Sequence, residues 1–199
     1  QADIVRTLGG DLFGMSGGMV RRGQLAQIAK GRHGKKDVDT NKPQYIRDLV
    51  DSWLNDESTI VWCRFNAEQE KLADLLPSVA NITGTTPESE REDLIAAFQE
   101  GTKRILLTKG KILGFGLNLQ CATRQIFSTC HDSYEEWIQC VMRSNRIGSL
   151  LPLNVHLPIV SIEREPMENV LGKAARVQKD TEEQERIFKA CMLEGSVLC

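Results

Sequence analysis

Short apolar, β-rich runs recur along the chain at Thr59–Phe65, Val79–Thr83, Lys103–Thr108, Arg124–Thr129 and Val155–Ile162, most of them separated by segments of helical periodicity. Strands joined through helices of about 10 to 14 residues cannot pair through tight hairpins; they need crossovers, which predicts a mainly parallel sheet with helices on both faces. Pro43, Tyr45, Ile46, Leu49, Val50, Trp53 and Leu54 predict a packed helix before the first run. Asn66 is placed to cap a helix whose apolar face is Ala67, Leu72, Leu75 and Leu76. After the turn Gly84-Thr85, Thr86 and Pro87 read as cap and first residue of a helix carrying Leu94, Ile95 and Phe98, with Gly101 ending it. Tyr134–Arg146 reads as a helix, Pro158 marks the last strand as an edge, and the tail from Pro166 is helical.

Composition narrows the function classes. The 199 residues carry 25 Lys plus Arg against 27 Asp plus Glu, a net charge of −2, so any nucleic-acid contact must be local rather than driven by a global positive field. No stretch reaches the roughly 18 consecutive apolar residues of a membrane span, and the leading residues show no apolar signal core, which argues against membrane insertion and secretion. Six cysteines without a CxxC pair point to a reduced, intracellular setting, cytoplasmic for a bacterial or phage parent. Cys121, Cys130, His131 and Cys140 match no common zinc spacing, so no metal site is expected. His33 reads as part of a polar loop and His156 as part of a strand. A first residue of Gln rather than Met suggests an excised or processed piece.

Ligands of such sheets sit beyond the carboxyl ends of the strands, which directs attention to the loops after Phe65, Thr83, Thr108 and Thr129. On Tyr134–Arg146, Tyr134, Trp137, Ile138, Val141 and Met142 form one apolar stripe, while Gln139, Arg143 and Arg146 project together on the other side. That polar stripe is either an ordinary solvated face or an anion-binding set. Thr108–Leu119 places glycines and two lysines, Lys109 and Lys111, directly after a strand, which suits either a phosphate contact or a tight connection. GxxxxGK[ST] occurs nowhere in the chain. Two arginines without a phosphate cradle have the look of half a site, as in arginine-finger arrangements.

At this point the motifs resemble those of a known family, the second RecA-like lobe of superfamily 2 helicases, in particular Swi/Snf-type DNA translocases and their phage-like relatives. Gln139 through Ser149 resembles motif VI, QxxxRxxRxGQ, with Ser149 in place of the final Gln; Gly114-Phe-Gly116-Leu-Asn118-Leu119 resembles motif V, and Thr108-Lys-Gly-Lys111 its phage-type start. Thr59–Phe65 is similar to motif IV, and Ile82 through Gly101 to the segment that follows it. The resemblance implies a RecA-like α/β lobe over residues 43–165, with 1–42 as an inter-lobe linker and 166–199 as a helical brace. It further implies that Arg146 is the finger on the γ-phosphate with Arg143 supporting it, and that Gln139, Gly114, Gly116 and Asn118 face the nucleotide. Gly84, Thr85, Thr108 and Lys111 would lie toward the nucleic-acid backbone.

The implied function is the second motor lobe of an ATP-dependent DNA helicase or translocase, working on duplex DNA. ATP and Mg2+ would be held mainly by an N-terminal RecA-like lobe of the same parent, so the chain alone is expected to be inactive as a hydrolase. Two other readings are open: an idle RecA-like interaction module, or a self-contained nucleotide-binding enzyme built on Lys109–Gly116, which would bind ATP by itself.

Overall fold

The computed structural model describes residues 27–28, 32–33, 36–37, 40–53, 57–113, 117–129, 133–149, 151–160 and 163–195. In chain order they form β1 (Arg32–His33), β2 (Lys36–Asp37), α1 (Lys42–Asp51), β3 (Ser58–Cys63), α2 (Asn66–Leu75), β4 (Val79–Asn81), α3 (Glu88–Gln99), β5 (Ile105–Lys109), β6 (Ala122–Phe127), α4 (Tyr134–Val141), β7 (Asn154–His156) and α5 (Arg164–Gly195). β1 and β2 pair antiparallel, which puts His33 in a strand instead of a loop. The other five strands form one parallel sheet in the order β4-β5-β3-β6-β7. The architecture is RecA-like α/β, as the sequence predicts. β7 is an edge strand that stops at His156, two residues before Pro158, which has no N–H to continue the ladder.

β3 shows why the sheet must be covered on both sides: from Thr59 to Cys63 every residue is buried. Alternate residues feed two cores. Ile60, Trp62, Leu106 and Phe127 meet Ile95 and Phe98 of α3 and Cys140 and Val141 of α4. On the opposite face Val61, Cys63, Ile105, Leu107 and Ile126 meet Ile46 and Val50 of α1 and Leu72 and Leu76 at the end of α2. Tyr45, expected on the packed side of α1, is exposed, and Leu54 lies outside the described residues.

Two helix starts differ from expectation. Asn66 does not cap α2; the Glu68 carboxylate accepts the backbone N–H groups of Arg64 at 3.0 Å and Phe65 at 3.3 Å, while Asn66 Oδ1 accepts from Lys109 Nζ. A carboxylate is the stronger acceptor for helix-end N–H groups and displaces the amide. Before α3, Thr86 Oγ1 takes the Thr83 N–H at 2.9 Å, so Pro87 sits at the cap and the helix begins at Glu88. Gly101 follows α3 with φ +80, a conformation that suits glycine. α5 packs through Met167 and Val170, and a buried ion pair, Lys42 Nζ to Glu163 Oε2 at 2.5 Å, fastens its approach to the first turn of α1.

Below α1 the sheet carries a charged aromatic cluster. Glu57 holds the Arg124 guanidinium in a two-pronged bond, Arg124 lies 4.5 Å over the Trp53 ring, and Trp53 meets the His156 ring at 4.8 Å. Hydrogen bonding from Arg124 holds the Glu57 carboxyl below its ordinary value. Burial, assisted by the Arg124 charge, lowers the His156 imidazole. Both folded-state values are depressed, so the unfolded chain takes up these protons more readily and stability is lost as pH falls. Thermal unfolding followed by circular dichroism should show a lower Tm at pH 5 than at pH 7.5. His156→Gln should flatten the upper part of that fall, from the ordinary imidazole value downward; an equally steep curve in the variant would remove His156 as a source.

Candidate functional site

β3 sends the chain to α2 on one face and the neighbouring β6 sends it to α4 on the other, so a crevice forms beyond the carboxyl ends of these two strands. Glu68 fills its floor. Besides the two backbone N–H groups, its carboxylate accepts the hydroxyls of Ser128 and Thr129, the latter at 2.8 and 2.9 Å, and it is only 3% exposed. One buried charge thus ties the end of β3, the start of α2 and the end of β6 together.

α4 starts at a side-chain cap: Ser133 Oγ accepts the N–H of Glu136 at 3.3 Å, with Glu135 and Glu136 in the first turn. The helix ends at Val141, not at Arg146. Beyond it the chain tightens: Arg143 N–H donates to Cys140 O at 3.2 Å and Ser144 N–H to Val141 O at 3.2 Å. From the sheet side, the fully buried Gln125 amide donates to Cys140 O at 3.2 Å, Val141 O at 3.4 Å and Ser144 Oγ at 2.8 Å, while its oxygen accepts from Trp62 Nε1 at 3.1 Å.

The single polar stripe expected for Gln139, Arg143 and Arg146 is therefore corrected, because a tight turn has replaced the last helical turn. Met142, expected on the apolar stripe, is exposed. Arg143 is buried, at 8% exposure, and its carbonyl accepts the Leu119 N–H at 3.1 Å. Arg146 is exposed and reaches back over the loop, donating to Leu117 O at 3.0 Å and Met142 O at 3.4 Å. Gly148, with φ +93, and Ser149, whose hydroxyl donates to Ser144 O at 3.1 Å, close the turn.

Arg143, Gln139 and Cys140 line a cleft of about 360 Å³ together with Gly110, Lys111, Ser133, Glu135 and Glu136. The cleft exists because the loop after β5 lies directly on α4. A Cβ added at Gly110 would come within 2.8 Å of Cys140 Sγ, and Cys140 is buried with nowhere to move. Burial pushes the Cys140 thiol up to about 12, so it is a packing group and not a nucleophile at neutral pH. Burial also lowers the Arg143 guanidinium from its ordinary value, and the positive charge of Arg146 acts in the same direction. Two cations that disfavour each other, one of them desolvated, form a site that an anion would stabilise. Glu135 and Glu136 line the same cleft. Gln139 amide donates to Glu135 at 3.4 Å.

The other expected residues divide. Gly84 and Thr85 are exposed in the turn after β4, where Thr85 Oγ1 lies 3.0 Å from Thr83 Oγ1. Lys111 is exposed and shares the cleft with Arg143, apart from that turn. Thr108 is completely buried in β5, paired in register with Trp62, and its hydroxyl has no hydrogen-bond partner among the described residues. Asn118 is exposed and makes a local turn, its Oδ1 accepting the Gln120 N–H at 3.1 Å. Gly114 and Gly116 lie outside the described residues, as do Cys130 and His131. Sequence reasoning missed Glu68 and Gln125. For Glu68 the spacing after a strand end was an available capping signal; for Gln125 the only signal was an amide inside an apolar run.

Gly110→Ala should destabilise the chain by about 1–3 kcal/mol, the usual cost of overpacking a filled contact. Adding Cys140→Ala removes the clashing sulfur, so denaturant melts of the double variant should show less destabilisation than the sum of the two single ones; strict additivity would mean that the loop does not rest on α4 at this point.

The helicase conserved C-terminal domain family matches residues 41–148, more than half of the chain. ATP-dependent helicase fft1 of the fission yeast Schizosaccharomyces pombe is 26% identical over 132 residues, which is 62% of this chain but 14% of that protein. The crystal structure of the C-terminal part of the Fun30 ATPase domain superposes with a TM-score of 0.60 at 21% identity, over 70% of this chain and 47% of that one. The chain thus spans a small part of the first relative and about half of the second. Sheet topology and the family match agree: this chain belongs to the helicase conserved C-terminal domain family, with a RecA-like fold.

Proposed function

We propose that this chain is the second motor lobe of an ATP-dependent DNA helicase or translocase, with Arg146 and Arg143 completing a nucleotide site whose phosphate cradle belongs to an N-terminal RecA-like lobe of the same parent. The observation that carries this reading is the buried Arg143 beside Arg146, at a cleft also lined by Gln139 and Lys111. Donors of this kind fit the terminal phosphate of ATP. They do not fit a magnesium ion: the described residues contain no group of three or more Asp, Glu, His or Cys able to hold a metal, and the sequence has no GxxxxGK[ST]. Mg2+, in this reading, would be held by the partner lobe and would supply charge neutralisation at the phosphates.

Arg146 rests on two neutral carbonyls, Leu117 O and Met142 O. Charge-assisted bonds to phosphate oxygens are roughly twice as strong, so an approaching triphosphate draws Arg146 off Leu117. Leu117 directly follows Gly114-Phe115-Gly116 in the sequence and precedes Asn118, the residues proposed to face the nucleotide. Arg143, held in place, adds the second positive charge. Gly84, Thr85 and Lys111 are the exposed candidates for the backbone of duplex DNA; such contacts track phosphates and read no sequence. Residues 166–199 act as the brace toward the partner lobe. The phage-like character rests on Thr108–Lys111 alone.

In the parent protein containing both lobes, Arg146→Ala should lower DNA-stimulated ATP turnover by about 10³-fold, within the range measured for arginine fingers. DNA binding by fluorescence anisotropy should be largely retained. Undiminished turnover would overturn the assignment.

A further inference from the structure

We infer that Gln125 is a positioning residue for the arginine turn: a buried side-chain amide that grips the chain on both sides of Arg143. The inference rests on the arginine reading above for its functional consequence, and on geometry alone for its structural one. Gln125 stands between Arg124 and the apolar pair Ile126-Phe127 in β6 and is fully buried against α4. A buried amide costs free energy unless its bonds are made, and here they are. Its oxygen is fixed by the Trp62 indole N–H at 3.1 Å, so the amide cannot flip without losing a partner. Its nitrogen then points at Cys140 O and Val141 O before Arg143 and at Ser144 Oγ, 2.8 Å away, after it.

Trp62 and Gln125 belong to adjacent strands of the sheet, β3 and β6, and Arg143 lies two residues beyond Val141, the nearer of the two carbonyls that Gln125 holds. The clamp therefore transmits the geometry of the sheet to the guanidinium. It also accounts for the early end of α4, since the amide draws Ser144 inward where a continued helix would carry it past the sheet. Arg146, two residues farther along, hangs from the same turn through its N–H bond to Ser144 O at 3.2 Å.

Gln125→Met keeps the volume and removes every bond; Ser144→Ala removes only the shortest one and leaves the core untouched. In hydrogen–deuterium exchange on the 199-residue chain, Gln125→Met should speed exchange at residues 142–146 by roughly tenfold to a hundredfold, as expected for two or three lost buried hydrogen bonds, with β3 and β5 unchanged. Ser144→Ala should give a smaller rise at the same residues. In the two-lobe parent, Gln125→Met should lower kcat by about 10- to 100-fold with KM for ATP little changed, because a displaced catalytic group loses rate and not ground-state binding. Unchanged exchange at 142–146 in both variants, or a rise spread over the whole sheet, would overturn the positioning role. Full kcat in Gln125→Met, where Arg146→Ala abolishes turnover, would also overturn it. If Arg146→Ala leaves turnover intact, the arginine reading fails, and the exchange measurement decides the clamp independently.

Discussion

A parallel sheet covered by helices on both faces leaves only its ends for chemistry, and in this chain the carboxyl end is organised by polar side chains buried among apolar ones. Glu68 joins the ends of β3 and β6, Gln125 holds the turn after α4, and Arg143 projects from that turn into the cleft. Each is buried and would be expensive without its surroundings. The apolar packing of Trp62, Phe127, Cys140 and Val141 supplies those surroundings, so the two cores and the candidate site are one construction.

The electrostatics explain why half a site is a stable object. Burial lowers the Arg143 guanidinium from its ordinary value, and a guanidinium in a protein stays charged. Arg146, exposed, occupies backbone carbonyls that cost little to leave. The lobe can thus wait without an anion and gain when one arrives. The rim carboxylates Glu135 and Glu136 stabilise the α4 N-terminus as first-turn acids.

How much of this was legible in the sequence follows from which forces leave a local pattern. Strands buried on both faces read as continuous apolar runs, and their boundaries were found to within two residues except at Pro158, where the ladder stops early. The edge position of β7 followed from one missing N–H. Helix starts were read less well, because Asn66 and Thr86 have capping chemistry but were engaged elsewhere by Lys109 and Thr83. The arginine segment failed as a helix for a reason no periodicity contains: an amide from a strand 15 residues earlier in the chain pulls its last carbonyls inward.

The family match fixes the kind of lobe, and the geometry says what such a lobe lacks. Arg143 lines the cleft and Arg146 lies on the adjoining turn, over Leu117 and Met142; under the proposed function a second lobe completes the nucleotide site. Titration calorimetry of Mg2+–ATP into the 199-residue chain alone tests this most directly. The account expects no saturable binding at micromolar concentrations; a saturable micromolar Kd, lost in Arg143→Ala, would contradict it and make the cleft a self-sufficient nucleotide site.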